Sequence, residues 1–371
     1  MSTNIQSERI HALDALRAIM MLLGIVLHSA ETYSIGVDKL WPKDPNSTSY
    51  FFTYITSIIH IFRMPIFFLL SGFFASMLYY DRSPKAMIIQ RFKRIGLPFV
   101  VFLLLLHPIV YHSYDFMIQK FQLDAFPNVI FRWLPNITYH LWFLYYLILI
   151  TAIVLILASI FRKTPLLNSA IKSTFNWLID RQLLLIAFLS VILFALLVWM
   201  WDYWAPTPLV FMPDTKVLIF YLVFYLFGWV LFKSKDKIWL FMKFDWIFLI
   251  SAFLIYTVKS IYSEQIDDVV YGGLNTMVGW FFIFGITGLF LRYFNGHSKL
   301  RRYLSDSSYW VYLVHLPFTL ILPALIVNWS LPVGLKFFIV LLGTTIMCYF
   351  TYHYFVRSTF IGKFLNGRTY K

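Results

Sequence analysis

Arg17 and His28 lie eleven residues apart in the stretch LDALRAIMMLLGIVLH. On an α-helix that spacing brings them within roughly 20° of each other on one face, about 16 Å apart along the axis. Glu31 follows His28 by three residues and shares the face. A histidine oriented by a carboxylate is the arrangement of a general base. A second apolar stretch, IIHIFRMPIFFLLSGFF, carries His60, Arg63 and Ser71. An ionisable side chain among so many apolar residues costs roughly 2.5–3.5 kcal/mol in hydrocarbon, so Arg63 needs an anionic or hydrogen-bonding partner. A third cluster, RFKRIGLP, sets Arg91, Lys93 and Arg94 within four residues of one another, just ahead of an apolar helix. That pattern suits a polyphosphate. Plainer readings stand beside each of these. Arg17 can snorkel to an interface, His28 can be a packed histidine, and the basic run can be membrane-surface charge.

The elements that must position these residues are apolar helices. The chain has 371 residues, of which 60% are hydrophobic, 21% aromatic and only 13% charged. Its mean hydropathy is +0.73. Soluble domains carry about 25% charge, so the composition points to a polytopic membrane protein. At about 20 apolar residues per crossing, ten spans are expected: 11–34, 51–79, 95–114, 137–161, 182–201, 216–232, 244–263, 271–293, 304–327 and 335–356. The expected fold class is therefore an all-α transmembrane helical bundle of about ten helices in one domain, 1–371. With both termini in the cytoplasm, roughly three-quarters of the 31 lysines and arginines fall in cytoplasmic gaps. This asymmetry accounts for the net charge of +14 without nucleic acid. The polar start has no small-residue cleavage site after the first apolar run, so that run reads as a retained helix. Cys348 is the single cysteine, which excludes an intrachain disulfide and a cysteine-based zinc site, and no metal is expected. His28, His60, His107, His112 and His140 map to the outer halves of their spans, and His315 to the middle of the ninth. The outer gaps 115–136 and 202–215 are candidate contact loops. A transporter is the alternative class, because buried charges also line solute pathways, but no inverted repeat or paired broken helices are visible.

Taken in order, these segments resemble the acyltransferase-3 family of integral membrane acyltransferases over about residues 8–360. The arginine-to-histidine spacing of LDALRAIMMLLGIVLH, then FRMPIFFLLSGFF, RFKRIGLP, HLWFLYYLI and SYWVYLVHLP carry the resemblance. The histidine and arginine of IIHIFRMPIFF most resemble the branch that succinylates periplasmic glucans. The resemblance implies a multi-pass protein of the bacterial inner membrane. It implies a cytosolic acyl-CoA donor, succinyl-CoA or acetyl-CoA, used as a substrate, with no tightly bound cofactor. The acceptor is a hydroxyl of an extracytoplasmic glycan. On this reading Arg17, Arg91 and Arg94 receive the CoA phosphates and Ser71 lines the path of the pantetheine arm. His28 is the catalytic base, aligned by Glu31, whose role rests on spacing and not on the family pattern. His60, Arg63, His140, Trp142, Tyr309 and His315 are substrate-binding candidates, with Tyr309, Ser71 or Trp142 facing the oxyanion. Arg63 either holds a succinyl carboxylate or pairs with Glu31. The expected partners are acyl-CoA, the glycan, the bilayer and, in a homo-oligomer, further copies of the chain.

Overall fold

The computed structural model describes residues 10–36, 41–123, 134–201, 207–296 and 298–367. Within them the chain is built from helices, with one isolated antiparallel bridge between Ile137 and Val210. Nine of the described helices are long and apolar enough to cross a bilayer, and a bent pair brings the number to ten if it counts as one span. Those nine are α1 (His11–Glu31), α2 (Tyr50–Asp81), α3 and α4 as one rod (Pro84–Arg91 and Leu97–Phe121), α5 (Trp142–Phe161), α7 (Gln182–Met200), α8 (Thr215–Lys233), α10 (Asp268–Tyr293), α11 (Lys299–Ile326) and α12 (Val333–Thr351). The bent pair is the 3-10 segment Lys235–Lys243 followed by α9 (Asp245–Ile261), with 60° between them. The chain is thus an all-helical, multi-pass membrane protein.

Two helices fall where connections are expected. α6 (Pro165–Ile179) begins at a proline in the first turn and runs for 15 residues, too short to span. α13 (Phe360–Asn366) follows α12. The third span also starts earlier than hydropathy suggests, because the basic run is itself helical. Phe92–Gly96 forms a π-helical turn between α3 and α4. Such single-turn insertions occur often at functional sites. The candidate contact loops 115–136 and 202–215 lie partly outside the described residues. Their described flanks are joined, since the Thr138 amide donates to the Leu209 carbonyl at 2.7 Å.

The centre of the bundle is the α2–α8 pair, its most extensive helix interface. Gly72 lies against the backbone of α8, and Gly228 against that of α2. A Cβ at Gly72 would sit 1.9 Å from the Tyr225 carbonyl oxygen, and one at Gly228 1.9 Å from that of Leu69. The sequence leaves open whether Gly72 marks close packing or a break. It is close packing, because α2 runs unbroken through both Pro65 and Gly72. α1 and α11 pack together beside this pair. The start of α1, the end of α2 and the π turn lie at one end of the bundle. The end of α1 and the start of α2 lie at the other.

Candidate active site

The end of α1 and the first half of α2 meet at Glu31. His28 Nδ1 donates to Glu31 Oε2 at 2.6 Å, and His60 Nε2 donates to Glu31 Oε1 at 3.3 Å. One carboxylate, on a residue 9% exposed, therefore bridges two histidines from two helices. With Nδ1 engaged, the lone pair of His28 sits on Nε2. The imidazole is held on its face by Trp41, whose ring stacks at 4.9 Å between centroids and 19° between planes. Trp41 is fixed in turn by its Nε1 bond to Thr32 Oγ1 at 2.9 Å. The segment carrying Trp41 is anchored to α12, where Lys336 Nζ lies 3.2 Å from Asp44 Oδ2, both side chains being shut off from the surface.

The centres of the His28 and His315 rings are 5.2 Å apart, and those of His315 and His140 are also 5.2 Å apart. His140 Nε2 donates to the Leu313 carbonyl, and His315 Nδ1 to that of Tyr312. These bonds leave the buried His140 Nδ1 and His315 Nε2 without partners. Arg63 sits among these groups, with Glu31, Tyr221 and Tyr312 acting on its charge. It is 8% exposed and its Nε is buried without a hydrogen bond. It forms no ion pair with Glu31, whose two oxygens are taken by the histidines. Of the two roles expected for Arg63, the structure does not form the Glu31 pair. Gly24 makes the room, since a Cβ there would lie 2.8 Å from Arg63 Nη1.

At the opposite end, Arg17, Ser71 and Arg91 come together. Arg91 Nη2 donates to the Ser71 carbonyl at 2.8 Å. Arg17 lies over the Phe74 ring, 5.6 Å from its centre, and pairs with Asp14 at 3.4 Å. The two guanidiniums repel each other. Arg94 is turned aside: its Nη1 bonds the Phe364 carbonyl at 2.8 Å and that of Lys363 at 3.3 Å, closing the end of α13.

The grouping differs from expectation at two more positions. Tyr309 faces the arginine end, donating to the Arg94 carbonyl at 3.0 Å. Trp142 packs on Tyr221 and Tyr146. Neither reaches the His28–Glu31 pair. Trp41, Gly24 and Tyr312 are site residues that spacing did not single out. Only Gly24, one turn before His28 on its own helix, was open to such reasoning. Trp41 lies in a connection and Tyr312 on a distant helix.

The family profile for the acyltransferase-3 acyltransferase domain matches residues 10–353. Glucans biosynthesis protein C of Salmonella heidelberg (strain SL476) is 25% identical over 350 residues, covering 87% of this chain and 86% of its own. The same protein of Salmonella typhi is 25% identical over the same shares. That of Salmonella paratyphi B (strain ATCC BAA-1250 / SPB7) is 29% identical over 166 residues, 43% of this chain and 42% of its own. No solved structure matches the chain. A profile covering nearly all of the bundle, from the first described residue to the end of the last span, makes this chain a member of the acyltransferase-3 family of membrane acyltransferases.

Proposed function

We propose that this acyltransferase moves a short acyl group, succinyl or acetyl, from cytosolic acyl-CoA to a hydroxyl of a glycan on the far side of the bacterial inner membrane. The observation that carries this reading is the Glu31–His28 bond at 2.6 Å beside a buried guanidinium that pairs with no carboxylate among the described residues. A buried unpaired cation is costly, and a negative group arriving beside it recovers that cost. The charge asymmetry of the loops supports placing the Arg17–Arg91 end in the cytoplasm. The relatives' name, glucans biosynthesis protein C, supports a glucan as the acceptor.

Arg17 and Arg91 receive the CoA phosphates, with Lys93 beside them on the π turn. Arg94, bonded to α13, contributes its charge from behind. The pantetheine arm runs past Ser71 toward His28. The acceptor hydroxyl then attacks the thioester carbonyl carbon while His28 Nε2 takes its proton. Glu31 stabilises the imidazolium that forms, and Arg63 faces the oxyanion or, in a succinyl donor, the distal carboxylate. As the carbon–sulfur bond breaks, the proton passes from the imidazolium to the departing thiolate. The products are the ester and free CoA. His60 shares the Glu31 carboxylate, and His140 and His315 pack behind His28. Tyr309 and Trp142 contribute to the walls of the route.

The test is acyl transfer from acyl-CoA by the purified protein. General-base catalysis is worth about 10²–10⁴-fold, so His28→Ala should lose at least about 100-fold with its fold retained. Activity within a few-fold of the wild type would sink the assignment. Arg63→Gln should depress succinyl transfer more than acetyl transfer, and an equal loss would remove the selectivity role.

A further inference from the structure

Beside His60, a cavity of about 290 Å³ opens between α2, α7, α8 and α10, with no residue of α1 in its lining. Its wall is graded with depth. Nearest the histidine end lie Ser57, His60, Thr207 and Asn275; deeper in, Ile61, Pro65, Leu193, Phe224 and Gly279 leave an apolar floor. From Ser57 to Pro65 the helical rise gives a depth of roughly 12 Å. The polar rim is organised, because buried Lys259 donates to Asn275 Oδ1 and fixes the orientation of that amide. A second recess of about 390 Å³ runs down the outer face of the α7–α10 seam from Gly273 and Phe194 past Val191 to Leu183. Thr276 lines both spaces. Gly273 of α10 lies against α7 in the groove, where a Cβ would sit 3.6 Å from the Phe194 ring.

We propose that this cavity and the α7–α10 groove hold the hydrocarbon chain of a lipid-linked glycan, with the sugar at the His60 rim. The inference rests on the acyltransferase reading above and names the form in which the acceptor arrives. Three features favour that occupant over a free sugar or a stray apolar molecule. The floor offers no hydrogen-bonding group to a sugar. The groove adjoins the cavity at Thr276 and opens on residues that face the bilayer, Leu183 and Val191 each being 65% exposed. The polar rim carries the histidine that shares Glu31 with the candidate base. A chain entering from the outer leaflet thus delivers its head group to the catalytic carboxylate without leaving hydrocarbon.

The experiment uses the full chain in nanodiscs and a saccharide on an isoprenyl diphosphate bearing a diazirine at the distal end of the chain. Photolabelling should map to α7 and α10 around Leu183–Phe194 and Gly273–Phe281, and excess phosphatidylethanolamine should not displace it. Thr276→Phe, at the junction of the two spaces, should abolish this labelling and raise the KM for the chain-bearing acceptor at least about tenfold. Transfer to the same saccharide without the chain should be unchanged, and Thr276→Ser should behave as wild type. Labelling spread evenly over the lipid-facing helices, or lost to plain phospholipid, overturns the proposal. So does a Thr276→Phe effect that is equal for both acceptors. Specific labelling without any acyl transfer would refute the acyltransferase chemistry and leave the lipid site standing, so the two failures are distinguishable. The wild-type labelling map decides the point even if the variant does not fold.

Discussion

Glu31 holds two histidines at once, and this sharing makes it more than a spacer between them. In Glu31→Gln the neutral amide can still accept from His28 Nδ1, yet it no longer balances a charged imidazolium. We expect kcat to fall by about 10²–10⁴-fold with little change in the KM for acyl-CoA, measured by thiol release from purified protein. A change confined to KM would place Glu31 in binding and not in proton transfer. Gly24→Ala tests the neighbouring cation. Its Cβ, 2.8 Å from Arg63 Nη1, forces the guanidinium to shift, and transfer should drop about tenfold or more without loss of thermal stability. Unchanged turnover would mean that the position of Arg63 is not used. At this scale the sequence was legible where the partners share one helix. His28 and Glu31 could be paired from a spacing of three. The Glu31–His60 bond joins residues 29 apart on two helices, and the Trp41 stack comes from a connection with no periodicity. Neither leaves a trace in local pattern. The Arg94 bond to α13 was hidden for the same reason, since its partner Phe364 lies 270 residues away.

Helices carry these side chains, and two contacts fix how they stand against one another. Gly72 and Gly228 let α2 and α8 approach backbone to backbone, so a methyl at either position drives the helices apart. Gly228→Ala should destabilise the protein by roughly 2 kcal/mol or more, visible as a lower midpoint of thermal unfolding in detergent. An unchanged midpoint would mean that the interface yields easily. The second contact is the Lys336–Asp44 pair, which ties α12 to the segment bearing Trp41. Removing one partner strands the other as a buried charge, at a cost of about 3–5 kcal/mol. Asp44→Ala should therefore lower both stability and transfer, while replacing the two residues together with apolar ones should restore most of the stability. If the single change is silent, the Lys336–Asp44 pair does not hold Trp41 in place. The nine long apolar helices among the described residues were readable from hydropathy, since length and apolarity suffice to mark them. α6 and the π turn were not. α6 is too short for a span signal, and the contacts around the π turn join residues far apart in sequence, Arg91 with Ser71 and Tyr309 with Arg94.

The molecule as a whole is polarised, with Arg17, Arg91 and Arg94 gathered at one end and His28, His60, His140 and His315 at the other. The mechanism requires the arginine end to face the cytoplasm, where acyl-CoA is made. Cys348 is the only native thiol and is fully buried, so introduced cysteines can be read against a silent background. Leu166, at the start of α6, is 88% exposed, and Met212, just before α8, is 81% exposed at the opposite end. In spheroplasts treated with a membrane-impermeant maleimide, Met212→Cys should label at once. Leu166→Cys should label only after permeabilisation. The reverse pattern would put the Arg17–Arg91 cluster outside and remove CoA from it, whatever the histidines do. Labelling of both in intact cells would instead mean that α6 does not lie on the inner surface. Only the first pattern lets His28 stand between a donor from within and an acceptor from without. In that orientation the one face shared by Arg17 and His28 becomes a path across the membrane.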